Sequence, residues 1–216
     1  AQPGPAEPSA APHVAAPEPI ELRSRAAIEN WPAATARVKS ARPWTEWLAG
    51  QKAAVDGWMQ RNLERADLVG GWVHDYVDGA SGQPMRWSAS TPEPAHGASE
   101  RDARVAQAWA ANMRENNILR MQTAARLFRL TGEARYADWA VQQLDLYAAN
   151  YNRWPLRTEN GRGRMFRQGL DEATWSFALL DTARLLQAYA SREQQDRWRD
   201  GLFFPTLVIA PVLPVG

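Results

Sequence analysis

Three arginines stand in a short glycine-containing stretch, GRGRMFRQG, that leads into a predicted helix. They are Arg162, Arg164 and Arg167, and Gln168 follows them directly. A guanidinium forms paired hydrogen bonds with a carboxylate or a sulfate, and the N-terminus of a helix also attracts anions. The pattern favours contact with an anionic ligand, and solvated loop charges are the alternative interpretation.

Gln168 begins a polar strip along one face of that helix. Gln168, Glu172 and Trp175 are spaced by four and three residues, which places them on the same face. An amide, a carboxyl and an indole suit the hydroxyls and the C–H face of a sugar ring. Core packing of Trp175 against Leu179 is the competing interpretation. Asp171 points about 100° away from Glu172, so the two carboxyls do not form a catalytic pair.

A second chemically capable cluster lies in the segment GWVHDY, residues 71–76. His74 and Tyr76 could contact sugar hydroxyls from the wall of a cleft, and His74 could also accept a proton. The alternative is a structural histidine satisfied by backbone groups, with Asp75 paired locally. The segment is too short and too rich in glycine for a helix.

Composition excludes several classes of function. The sequence has no cysteine, which excludes a disulfide framework, a thiolate metal site and a cysteine nucleophile, and we expect neither a metal nor a cofactor. The 25 Lys and Arg residues nearly balance the 24 Asp and Glu residues without a basic run, so we expect no nucleic-acid partner. No apolar run approaches the roughly 20 residues that span a bilayer, so we expect no membrane partner.

The N-terminal region differs from the rest of the chain. Residues 1–21 are dominated by Ala, Pro, Glu, Gln and Ser, which is typical of a disordered linker that follows a removed signal peptide. An arbitrary boundary of the sequence is the alternative. Export combined with the absence of cysteine predicts a bacterial periplasmic or secreted protein. Residues 22–216 are predicted to form one helical domain.

Apolar side chains recur at three- and four-residue spacings through most of that domain, which predicts an all-α fold. The predicted helices cover residues 45–65, 105–130, 133–151, 170–190 and 191–205. Trp44 and Trp47 belong to the apolar stripe of the first. The tight turn at Thr131-Gly132 predicts an antiparallel helical hairpin. The helix over 170–190 carries two apolar stripes, which predicts burial on both sides and favours a helical bundle or concentric helical rings.

Four stretches of the sequence resemble the helical N-terminal domain of the heparinase II/III-like polysaccharide lyases. They are GWVHDY, RLFRLTGEARYADWA, LDLYAANY and GRGRMFRQGLDEATW. The resemblance implies antiparallel hairpins that form part of an incomplete (α/α) toroid, with loops on one rim lining a cleft. It also implies that the cleft binds an acidic, uronate-containing polysaccharide through His74, Tyr76, Arg162, Arg164, Gln168, Glu172 and Trp175.

The chemistry implied by this family is β-elimination, which needs a group to neutralise the uronate carboxylate, a base and an acid. In the family an Asn/His pair and a later tyrosine follow the last helix. Here the sequence closes with LFFPTLVIAPVLPVG, which contains no such pair. We therefore expect a fragment or a truncated chain whose catalytic residues are unknown. The uncovered helices of a partial toroid would favour self-association.

The sequence thus predicts the substrate-binding helical portion of a secreted polysaccharide lyase. Two alternatives stay open, a non-catalytic carbohydrate-binding module and a helical-ring glycoside hydrolase.

Overall fold

The computed structural model describes residues 29–73, 77, 81–95 and 97–209. Every α-helix within these ranges lies in one compact unit that begins at Trp31, and the predicted linker, residues 1–21, lies outside the described residues. These α-helices are α1 Trp31–Ser40, α2 Trp44–Arg61, α3 Glu100–Thr131, α4 Ala134–Asn150, α5 Gly169–Leu186, α6 Arg192–Trp198 and α7 Phe204–Ile209. Where the chain is described, β-structure is limited to isolated bridges, so the prediction of an all-α fold is confirmed.

Two short helical turns join the main elements. A 3-10 turn, Tyr151–Arg153, follows α4, and a π-helical turn, Arg199–Phe203, connects α6 to α7. The helix predicted to end at Pro205 therefore continues, with Pro205 in the first turn of α7, where a proline is tolerated. None of the helices in the described ranges is both long and apolar enough to cross a membrane.

The longest helix, α3, begins earlier than its apolar pattern predicts. It starts at Glu100 rather than Val105, because Ser99 and Asp102 form a capping box. The Ser99 hydroxyl accepts a hydrogen bond from the Asp102 backbone N–H at 3.1 Å, and the Asp102 carboxylate accepts one from the Ser99 N–H at 3.3 Å. These bonds satisfy two N–H groups that would otherwise lack partners.

The core forms where α3 packs against α2, α4 and α5. Alanines on α3 let the neighbouring helices approach closely, and larger side chains fill the space between them. The buried side chains of α3 include Ala108, Trp109, Ala111, Met113, Ile118, Met121, Ala124 and Ala125. Those of α4 include Tyr136, Ala140, Leu144 and Tyr147.

Two predictions about burial are wrong. In α5 the second apolar stripe faces solvent, with Leu170 68% and Phe177 72% exposed, because α3 and α4 pack against the other side of the helix. Trp44 and Trp47 are also exposed rather than buried. They lie in the first turn of α2, and the buried residues of that helix, such as Val55, come two or more turns later.

We expect Gly132→Ala to lower the free energy of unfolding by about 1 kcal/mol, because Gly132 has a φ of 76° at the end of α3. Gly57→Ala is the matched control: it lies inside α2 with open space around it, and it should stabilise the protein by about 0.5–1 kcal/mol. Urea denaturation measures both changes. Equal effects of the two substitutions would contradict a left-handed cap at Gly132.

Candidate functional site

A buried ion pair joins α3 to the segment that follows α2. Arg114 of α3 contacts the Glu64 carboxylate through Nη2 at 3.0 Å and Nε at 3.3 Å, and both side chains are removed from water. Tyr147 donates its hydroxyl to Glu64 Oε2 at 2.6 Å, and the Arg114 guanidinium lies 4.0 Å from the centroid of the Trp154 ring. Buried charges are tolerated only with such complete pairing.

The protonation states within this pair follow from its surroundings. Burial lowers the pKa of Arg114, but attraction to Glu64 and hydrogen bonding to it outweigh the burial, so the pKa is raised and the guanidinium stays charged. Burial and the Glu64 charge raise the pKa of Tyr147 well above its ordinary value. Tyr147 therefore stays neutral and serves as a hydrogen-bond donor.

The end of α2 allows Glu64 to reach this position. Asn62 adopts a left-handed conformation with a φ of 42°, which Asn tolerates better than most residues. The helix therefore ends at Arg61 and not at the predicted Arg65, and the chain turns so that Glu64 enters the interior.

Arg114 also fixes two loops that carry predicted site residues. Its Nη1 donates to the carbonyl of Met165 at 2.9 Å, and its Nη2 donates to the carbonyl of Leu68 at 3.0 Å. The two loops approach so closely that a Cβ on Gly70 would stand 1.8 Å from the Met165 oxygen. The Arg167 N–H donates to the Gly71 carbonyl at 3.0 Å, so the GWVHDY segment begins beside residues 161–168, hereafter the arginine loop.

Glu172 supports the arginine loop from beneath. Its carboxylate accepts hydrogen bonds from the Tyr151 hydroxyl at 2.6 Å and from the N–H groups of Met165 and Phe166, each at 3.0 Å. Burial raises the pKa of Glu172, and these hydrogen bonds oppose that effect. Glu172 is 0% exposed, so the direct ligand contact that helical spacing predicted would require the loop to move.

The predicted arginines divide into inward and outward groups. Arg164 is half-buried and donates to the Trp154 carbonyl at 2.6 Å. Its guanidinium therefore holds the loop closed and is not available as a pair of donors for a ligand. Its Nε is buried and has no hydrogen-bond partner. Arg167 is half-buried and lies 3.9 Å from Glu159 Oε1. Arg162 is exposed, and Gln168, which is half-buried like Arg164 and Arg167, lies at the N-cap of α5. Arg162 is therefore the most exposed of the predicted residues on this loop, and Gln168 is its neighbour at the entrance to the helix.

Trp175 lies beside a carboxyl that the sequence analysis did not single out. The indole is partly exposed, and its ring centroid lies 6.5 Å from that of Phe166. Burial, followed by the nearby negative charge of Asp171, raises the pKa of Glu115 of α3 to about 7, while the interaction with the Trp175 indole opposes the rise. Glu115 can therefore hold a proton near neutral pH, close to the predicted strip.

His74 and Tyr76 lie outside the described residues, so the structure places only the start of their segment. Trp87 donates its indole N–H to the Val73 carbonyl at 3.0 Å, immediately before His74. Among the residues that the structure describes, no group of three or more His, Asp or Glu side chains is arranged to hold a metal ion.

Comparison with known proteins gives a partial match to an enzyme. Over 95 residues the chain is 30% identical to an exo-oligoalginate lyase of Saccharophagus degradans. The match covers 42% of this chain and 13% of that lyase, so the chain spans a small part of the length of the relative. No family model matches the chain. The similarity points to a relationship with polysaccharide lyases.

We expect Arg114→Met to lower the free energy of unfolding by about 3–5 kcal/mol, because Glu64 would remain buried without its charge partner. Arg192→Ala is the control, since Arg192 pairs with Asp196 on the surface and should contribute less than about 1 kcal/mol. Urea denaturation measures both. If the Arg114→Met protein were as stable as the parent, the pairing of Glu64 with Arg114 would not be needed for stability.

The raised pKa of Glu115 makes stability depend on pH. Between its ordinary value of 4.5 and about 7, unfolded chains release the Glu115 proton while folded chains keep it. Stability therefore falls as pH rises through this range, by on the order of 1–2 kcal/mol after allowance for the partial exposure of Glu115, and the loss stays constant above it.

Glu115→Gln should remove this loss. Urea denaturation at about pH 4.5 and at about pH 8 measures the free energy of unfolding at each pH. The decrease in this free energy between the two pH values should be smaller for Glu115→Gln than for the parent protein. Glu193→Gln, at an exposed position on α6, is the control that should leave the decrease unchanged. Identical decreases in the parent and Glu115→Gln would contradict the raised pKa.

Proposed function

We propose that this chain is the substrate-binding helical part of a polysaccharide lyase that acts on a uronate-containing polymer such as alginate. The observation that carries the proposal is the similarity to an exo-oligoalginate lyase. The four stretches that resemble heparinase II/III-like lyases also support the proposal. Two of these stretches contain the arginine loop and GWVHDY, and the arginine loop lies beside the start of GWVHDY in the structure. We further propose an incomplete (α/α) toroid and a secreted or periplasmic location.

The arginine loop suits an anionic sugar because it is held in place before a ligand arrives. Arg114 fixes the Met165 carbonyl, and Glu172 fixes the N–H groups of Met165 and Phe166. Binding therefore does not have to order this backbone, which improves affinity for a given set of contacts. Arg162 and Gln168 then offer a guanidinium and an amide at the entrance to α5, with the partly exposed indole of Trp175 two turns later.

We assign binding to this chain, and we assign no catalytic role to its described tyrosines. A lyase of this class needs a base that accepts a proton near neutral pH. Each tyrosine in the described ranges has a raised pKa, including Tyr136 at about 12, where burial is the main cause. A phenol with a raised pKa stays protonated, so none of these tyrosines is suited to act as the base.

Calorimetric titration with an alginate tetrasaccharide tests the proposal. We expect the double variant Arg162→Ala/Gln168→Ala to bind about tenfold more weakly, because it loses a charge-assisted contact and an amide contact on the exposed side of the loop. Salt should weaken binding by the parent protein. Arg164 is left intact because its side chain closes the loop.

Two controls make the result specific. Arg192→Ala removes an exposed arginine from α6 and should leave the affinity unchanged. A neutral cellulose tetrasaccharide should bind the parent protein more weakly than the alginate tetrasaccharide. Unchanged affinity in the double variant would place the binding site elsewhere on the chain, and equal affinity for both sugars would contradict recognition of the uronate carboxylates.

A further inference from the structure

Two exposed tryptophans form an aromatic surface at the start of α2, with their rings nearly perpendicular to each other. Trp44 is 43% exposed and Trp47 is 44% exposed. Their ring centroids are 6.4 Å apart at an interplanar angle of 76°, so the two indoles pack edge to face. One turn after Trp47 the helix carries Gly50, where an added Cβ would meet nothing within 4 Å. We call Trp44 and Trp47 the tryptophan platform.

The surroundings of the platform are basic. Between Trp31 and Val55 the only acidic residue in the sequence is Glu46, whereas Arg37, Lys39, Arg42 and Lys52 are basic. The Arg37 guanidinium lies 5.9 Å from the Trp44 ring centroid, and the side chains of Arg37 and Lys39 are exposed. Glu46 pairs with Arg42 at 2.7 Å, and Lys52 pairs with Glu133 at 2.6 Å, so each of these charges is partly offset by its partner. The positive charges of Arg37 and Lys39 therefore dominate, and the platform favours a ligand with negative charge.

We propose that the tryptophan platform is a second binding site for an acidic oligosaccharide. The apolar C–H face of a sugar ring stacks on an indole, and the uronate carboxylate pairs with Arg37 or Arg42. The identity of the sugar as a uronate rests on the proposed function. The site itself uses residues of α1, α2 and the turn between them, and shares none with the arginine loop.

The size of the platform favours a sugar over a protein partner. Two indoles exposed to this degree present on the order of 200 Å². A stable protein interface buries roughly 800 Å² on each partner, which is several times more. One or two sugar rings match the area of two indoles, and the adjacent guanidiniums supply the charge that a uronate needs.

Fluorine NMR on protein labelled with fluorotryptophan tests the proposal residue by residue. The single variants Trp44→Phe, Trp47→Phe and Trp175→Phe assign the three signals that matter. Titration with an alginate tetrasaccharide should shift the Trp44 and Trp47 signals, and a neutral cellulose tetrasaccharide should shift them less. Arg37→Ala/Arg42→Ala should weaken the response of the Trp44 and Trp47 signals about tenfold.

Arg192→Ala is a matched control for the charge. Arg42 and Arg192 are both highly exposed, and each pairs with an acidic residue four positions later, Glu46 and Asp196. Arg192 lies on α6, which contributes no residue to the tryptophan platform. Removing Arg192 should therefore leave the response of the Trp44 and Trp47 signals unchanged. An equal loss in both arginine variants would show a general charge effect and would overturn the proposed site.

The pattern of shifts separates this inference from the proposed function. Shifts at Trp175 without shifts at Trp44 and Trp47 would overturn the platform and leave the arginine loop as the site. Shifts at Trp44 and Trp47 alone would support the platform and count against the loop, and no shift at any of the three would contradict both. Shielding of Trp44 and Trp47 from a soluble paramagnetic chelate would show that protein covers them, which would also overturn the site.

Discussion

The buried pair between Arg114 and Glu64 is the constraint on which the arrangement of the loops depends. A guanidinium has five N–H donors and no acceptor, so in the interior it needs acceptors on several sides. Arg114 takes them from the Glu64 carboxylate, the Leu68 carbonyl and the Met165 carbonyl, which lie on two separate loops. One side chain thus sets the position of both segments relative to α3, and glycine at position 70 provides the space that their close approach requires.

A second buried ionisable side chain, Glu172 of α5, holds the same loop. Glu172 holds the N–H groups of Met165 and Phe166 while Arg114 holds the Met165 carbonyl, so both polar groups of one residue are bound to ionisable side chains. Arg164 adds a third connection through the Trp154 carbonyl. Because these side chains are committed to backbone groups, only the outer residues of the loop are available to a ligand.

The sequence predicts the long helices well because their apolar spacing is local information. The hairpin of α3 and α4 follows from that spacing and from Gly132. Burial was predicted less well, since it depends on neighbours that are distant in the chain. The helical spacing places Glu172 on the face with Gln168 but does not show that the Tyr151 hydroxyl and two backbone N–H groups cover its carboxylate. For the same reason Glu115 looks like an ordinary surface charge in the sequence.

The hydrogen bonds to Glu172 have a consequence for the timescale on which the arginine loop can move. The amide protons of Met165 and Phe166 are bound to a carboxylate with no exposed surface, so solvent cannot replace it while the core is intact. Opening the loop would remove the Met165 carbonyl from Arg114 and two backbone N–H donors from Glu172, while Glu64, Leu68 and Tyr151 would remain as partners. Each buried polar group left unsatisfied costs about 1–3 kcal/mol, so this part of the loop opens far less often than its outer side chains rearrange.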